Sequence, residues 1–157
     1  MGWPKGKPRK PRSGTDTAKT ATRGFTRNTV HSWKEIRHFT PREFTCKCHG
    51  LCDHPDAISM ELVEKLDRIR QRINMPVTIV SGTRCERHNR MVGGDPRSAH
   101  LAKSGVSHAA DIRCADSAFR FAFLNQAFSL FNRIGVGRDF IHVDDDPELP
   151  PNLIWVY

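Results

Sequence analysis

The sequence predicts an α+β domain in which a small antiparallel sheet is flanked by helices around a cleft. Three observations predict it. A strong helical period lies early in the chain, a second apolar helical stretch lies in the middle, and short β-branched or alternating segments cluster late. No internal repeat is visible.

Residues 1–30 are rich in Pro, Gly, Lys and Thr and read as a basic leader preceding a folded unit over 31–157. The run WKEIRHFTPREF (33–44) opens that unit, with Phe39 and Phe44 as apolar anchors. Thr40 as N-cap, Pro41 at the first helical position and Glu43 in the first turn mark a helix start. Residues 45–57 carry Gly50, Asp53 and Pro55 and read as turns. Over 59–74, Leu62, Leu66, Ile69 and Ile73 recur at four-three-four spacing with charge on the other face, which predicts a helix. Ser59 is its N-cap and Pro76 its stop.

The β-branched run 77–80 predicts a strand that delivers Arg84 to a loop. Residues 86–108 have no period, and a loop that long is expected only where it has a function. Residues 109–113 alternate weakly and suit a short strand carrying Asp111. Residues 116–131 are helical in pattern, capped by Asp116 or Ser117. Strands are expected over 134–137, 140–143 and 153–157.

The net charge of +8 is unevenly placed. Residues 1–28 hold eight Lys/Arg against the single acid Asp16, which leaves seventeen Lys/Arg and sixteen Asp/Glu for the rest. The fold is thus nearly neutral, which argues against nucleic-acid binding as its main role. The leader reads either as a solvated tail or as a weak, salt-sensitive attractor of anionic polymers. No stretch approaches the roughly 20 apolar residues of a membrane span, and the basic N-terminus has no apolar core of a signal peptide. The chain is therefore expected to be made in the cytoplasm, without a membrane span, as a monomer.

The five cysteines leave three readings open. Cys46, Cys48 and Cys52 with His49 and His54 beside them offer a second, structural zinc site. One or two disulfides, including a link from the cluster to Cys85, are the second reading. Reduced, partly buried thiols are the third.

His100, Asp111 and His142 are the candidate ligands of a catalytic metal. Two imidazoles and one carboxylate can hold zinc and leave a fourth position for water, whose pKa then falls to about 7. Asp111 sits among Ala109, Ala110 and Ile112, and an ionised carboxylate in apolar company needs a partner. His142 shares a strand face with Phe140 and Asp144.

The order of the surrounding motifs is more specific than the ligand types. Ser81-Gly82-Thr83-Arg84 with Asn89 comes first, then Ser98-Ala99-His100, then Ala109-Ala110-Asp111-Ile112, and finally Gly135-Val136-Gly137 before Phe140-Ile141-His142-Val143-Asp144. From Phe39 to Tyr157 this resembles the zinc D-alanyl-D-alanine carboxypeptidase family, peptidoglycan metallopeptidases of the lysostaphin, D-Ala-D-Ala and hedgehog type that include phage endolysins. The resemblance implies a zinc cleft holding one catalytic zinc and hydrolysis of peptidoglycan stem peptides on the cell wall. It further implies Arg84 as the anchor of a substrate carboxylate, with Ser98 as a donor to a substrate carbonyl. Asn89 is read as a brace of the loop.

The family places an acidic residue three before its last histidine. That makes Asp139 the expected base, and Asp144 the residue that orients a ligand histidine. The gap from His100 to Asp111 is four residues longer than the family's. An insertion within 101–106 accounts for it, with His108 as the rival ligand. The longer gap also supports an alternative function, a catalytically inactive, zinc-containing wall-binding module.

Overall fold

The computed structural model describes residues 32–53 and 55–157. The basic leader expected over 1–30 lies outside the described residues, as does His54. The helices are α1 (Pro41–Phe44), α2 (Met60–Ile73), α3 (Glu86–Met91) and α4 (Ser117–Ala127). The strands are β1 (Ile79–Ser81), β2 (Ala109–Arg113), β3 (Arg133–Val136), β4 (Phe140–Asp144) and β5 (Leu153–Val156). Among the described residues, no helix is long and apolar enough to cross a membrane.

The helices start where their side chains can satisfy free N–H groups. Thr40 and Glu43 close a capping box over α1, with Pro41 at its first turn. The Ser59 hydroxyl accepts from the N–H of Leu62 at the start of α2, and Asn74 ends that helix in the left-handed region. Asp116 caps α4 by accepting from the N–H of Phe119. This helix stops at Ala127, short of the expected 131, where i→i+3 bonds from Ser129 to Gln126 and from Leu130 to Ala127 tighten the chain into a turn before β3. The expected strand over 77–80 is shifted onward, to Ile79–Ser81.

Residues 86–108 are not the uninterrupted loop that their lack of period predicts. They contain the six-residue α3 and a 3-10 turn at Lys103–Gly105. Only Asn89 of α3 is buried, so no apolar stripe betrays this helix in the sequence. The Cys85 sulfur, which accepts from the N–H of His88, starts it instead. The 3-10 turn falls where the extra residues between His100 and Asp111 are expected to be.

The sheet order is β1-β2-β4-β3-β5. The expected all-antiparallel sheet is in fact mixed: β3 and β5 run parallel, with Arg133 opposite Leu153 and Val136 opposite Val156. The reason lies in the edges. β4 is flanked by β2 and β3. The segment after it passes the end of β3 to reach the remaining edge, which fixes β5 in the direction of β3.

Alternation divides the sheet into two faces. Ala110, Ile112, Ile134, Ile141 and Val143 meet Leu62, Leu66 and Ile69 of α2 and Phe119 and Phe123 of α4 in one core. The other face carries Asp111, His142 and Asp144. Phe123 is fully buried whereas Phe121 is 75% exposed. Phe123→Ala is expected to cost about 3–5 kcal/mol through loss of transfer energy and the cavity left behind. Phe121→Ala should stay within about 0.5 kcal/mol. Urea unfolding of the two variants measures the difference.

Candidate metal centre

Asp111 and His142 are directly opposite one another on β2 and β4. The pleat therefore sends both side chains to the same face. His100 reaches them from the loop between α3 and β2. That loop is fixed because the His100 carbonyl accepts from the N–H of Arg84 at 2.7 Å. The three residues converge: Nε2 of His100 lies 3.1 Å from Oδ1 of Asp111 and 3.3 Å from Nδ1 of His142. Nδ1 of His142 lies 2.9 Å from the same carboxylate oxygen.

The outer nitrogens decide the tautomers. Nδ1 of His100 donates to the Gly82 carbonyl at 2.7 Å. Nε2 of His142 donates to Oδ2 of Asp144 at 2.9 Å. Each neutral ring then turns a lone pair inward, against an Asp111 oxygen that also only accepts. Three acceptors within about 3 Å of each other need positive charge between them. A proton on Nδ1 of His142 serves one partner well. A single divalent cation serves all three, and zinc bonds of about 2.0–2.2 Å to nitrogen and oxygen suit these spacings. The donor set fits zinc and supplies three ligands, which leaves a fourth direction open.

Burial and these contacts set the charge preferences of the three residues. Burial drives His100 below the ordinary histidine range, against the pull of Asp111. Burial also opposes charge on His142, but its bonds to Asp111 and Asp144 outweigh this and raise its pKa. Burial alone would raise Asp111, yet the two histidines hold it well below the usual carboxylate range.

A cleft of about 600 Å³ opens over the three residues, lined also by Arg84, Ser98, Phe140, Asp144, Trp155 and Tyr157. Arg84 donates from Nη2 to Oδ2 of Asp111 at 2.7 Å and from Nε to the Ser81 hydroxyl at 2.9 Å. It also lines a neighbouring cavity of about 720 Å³ with Cys52, Cys85 and Asn89. The Ser98 hydroxyl accepts from the backbone N–H of His100. Asn89 is buried and donates to the Asp95 carbonyl, so it ties α3 to the loop that follows. Asp144 takes Nε of Arg133 on its second oxygen at 2.7 Å.

Two sequence candidates do not join the cluster. His108 turns away, with Nδ1 3.3 Å from Asp145, and is absent from the group of possible ligands that His100 completes. Asp139 is exposed in the turn between β3 and β4 and does not line the cleft. It sits in the turn just before β4, so strand alternation does not assign it to a face.

Sequence reasoning missed Gly82, Arg133 and Trp155. Gly82 had a signal in the Ser-Gly-Thr-Arg run. A Cβ there would lie 2.5 Å from the Phe44 carbonyl oxygen, so only glycine lets this loop approach α1 and aim its carbonyl at His100. Arg133 and Trp155 had none, since their roles follow from register alone. The Trp155 ring stands 5.4 Å from that of His142, with the Arg133 guanidinium 5.4 Å from its centre.

A second group that could hold a metal comprises Cys46, Cys48, Cys52 and Cys85. Cys85 thus joins the cluster of three that the spacing suggested. All described cysteines are free.

A protein-family model described as Peptidase M15 matches residues 37–144. No curated protein matches the chain.

Removing the outer partner of a ligand histidine is expected to cost about 10- to 100-fold in zinc affinity. Asp144→Asn should show this in competition with a chromophoric chelator, while His142→Ala should abolish binding at this centre.

Proposed function

The chain belongs to the Peptidase M15 family of zinc metallopeptidases, and from that premise we propose that it hydrolyses a peptide bond in the stem peptides of peptidoglycan. The reading includes a D,D-carboxypeptidase or an endopeptidase of the phage endolysin type, acting on the cell wall after release from the cytoplasm. One observation carries it: three inward lone pairs, from His100, Asp111 and His142, meet beneath an open cleft. When bound there, zinc supplies Lewis acidity that polarises a carbonyl and acidifies water near neutral pH.

The chain's own residues supply the rest. Gly82 and Asp144 hold the two imidazoles with their lone pairs inward. Arg84 spends part of its five-donor fork on Asp111 and Ser81 and keeps N–H groups for a substrate carboxylate. Its place between the cleft and the adjoining cavity allows a peptide to extend past it on either side. Ser98 still has its hydroxyl proton to donate to a substrate carbonyl.

Asp139 is our choice to take the proton from water and pass it to the leaving amine. Asp144 is already engaged by His142 and Arg133, and Asp111 by the cluster. The assignment requires the turn that carries the exposed Arg138 and Asp139 to fold over the cleft when substrate binds. That same exposure favours the second reading, a zinc-bearing module that binds the wall without cutting it.

Mass spectrometry of muropeptides after digestion, with and without chelator, separates the two readings and identifies the bond. Chelator-sensitive cleavage is expected. A zinc-loaded protein that binds walls of several chemotypes but leaves every muropeptide intact supports the binding module. In an active enzyme, Asp139→Asn should lower kcat by about 10²- to 10⁴-fold with little change in zinc content. Arg84→Lys should raise KM roughly 10- to 100-fold, from the loss of a charge-assisted contact worth about 1.5–3 kcal/mol. Steady-state kinetics on the identified muropeptide measures both.

A further inference from the structure

The segment from Thr45 to Ala57 contains no helix or strand among its described residues, and Leu51 is exposed within it. Yet Cys46 and Cys48 are buried. Little apolar surface is available to hold this loop: hydrogen bonds such as that from the Cys46 N–H to the Pro55 carbonyl tie its ends, and sulfur atoms gather at its centre. The sulfurs of Cys46, Cys48, Cys52 and Cys85 all lie within 4.8 Å of one another. Tetrahedral zinc with bonds of about 2.3 Å to sulfur separates its ligands by about 3.8 Å. Cys48 and Cys52 approach to 3.2 Å without being bonded, well beyond the disulfide length of about 2.05 Å.

The backbone is shaped to bring them together. His49 and Gly50 both take positive φ, at 59° and 79°, which turns the chain so that Cys52 returns to Cys48. Donors surround the sulfurs. The N–H of Cys85 points to Sγ of Cys46 at 3.3 Å, and the N–H of His88 to Sγ of Cys85 at 3.4 Å. Nδ1 of His88 lies 3.4 Å from Sγ of Cys46. N–H groups aimed at sulfur suit thiolates that carry negative charge.

We propose that Cys46, Cys48, Cys52 and Cys85 form a closed tetrathiolate site for a zinc ion, separate from the His100–Asp111–His142 centre. Four S–H protons pass to solvent as four sulfur–zinc bonds form. Soft thiolates select zinc over calcium or magnesium, and four protein ligands leave no position for a substrate, so the role is structural. Cys85 follows Arg84 directly and caps α3. The site therefore staples the 45–53 loop to the segment that presents Arg84 to Asp111, and it forms part of the wall of the adjoining cavity through Cys52 and Cys85. This inference does not rest on the peptidase reading.

Elemental analysis of the full chain, purified under reducing conditions with zinc, tests it. Two zinc ions per chain are expected, falling to one in Cys85→Ser and to one in His142→Ala. Cobalt substitution tells the sites apart: the thiolate-to-cobalt charge-transfer band should survive in His142→Ala and vanish in Cys85→Ser. Cys85→His, which keeps a donor, should retain the second metal, and Cys114→Ala should retain both. Should Cys85→Ser fail to fold, His142→Ala still decides. Chelation there should expose four thiols to a colorimetric thiol reagent and lower the melting temperature. The proposal is overturned by a single zinc per wild-type chain with no thiolate band on cobalt. Disulfides in the intact mass, or thiols that react equally with and without chelator, overturn it too.

Discussion

The convergence of two imidazole nitrogens on one carboxylate oxygen governs this molecule. Nε2 of His100, Nδ1 of His142 and Oδ1 of Asp111 are held within 3.3 Å by the hydrogen bonds behind them. Such a buried cluster needs positive charge, from a proton or a cation, to balance the Asp111 carboxylate. Each supporting contact fixes an atom of that triangle: the Gly82 carbonyl sets one tautomer, Asp144 sets the other, and Arg84 holds the second oxygen of Asp111. Arg133 in turn holds Asp144. The fold can be read as the scaffold that keeps these partners in place.

That scaffold works because two of the candidate ligands belong to a cross-strand pair. Asp111 and His142 are opposite in register, so a slip of one residue in either strand would send a ligand into the apolar core. Ala110 and Ile112, and Ile141 and Val143, bury the opposite face and make such a slip costly. The third ligand comes from a loop, which needs a different anchor. Backbone bonds between Arg84 and His100, and between Ala102 and Arg84, tie it to the 82–85 segment. The four clustered sulfurs bear on that same segment. One side of the centre is thus set by sheet register and the other by a loop that a metal would staple.

The elements that were legible in the sequence are those whose side chains report their own environment. The apolar stripe of Leu62, Leu66 and Ile69 marks α2 because the core needs one face of it, and Ser59 marks its start. Ser98 preceded the histidine that the structure brings to Asp111 and His142, and the turn-like Lys103-Ser104-Gly105 forms a 3-10 turn. The helix α3 was not legible, since it buries a single asparagine and starts on a cysteine. The direction of β5 was not legible either, because its pattern is the same whether it runs with β3 or against it. Asp139 shows the limit of spacing. Three residues from His142 is a short distance in sequence, but the turn before β4 holds it outside the cleft lining in this structure.

The sequence by itself determined the family, the α+β class, the trio of candidate ligands and the cysteine cluster of the 45–53 loop. Each of these rests on residue type and local period, which the chain carries wherever it folds. Only the tertiary structure decided the inward tautomers, the engagement of Arg84 with Asp111, the support of Asp144 by Arg133 and the arrival of Cys85 as a fourth sulfur. Those depend on register and on contacts between residues tens of positions apart, where a distance of one ångström separates a ligand from a bystander.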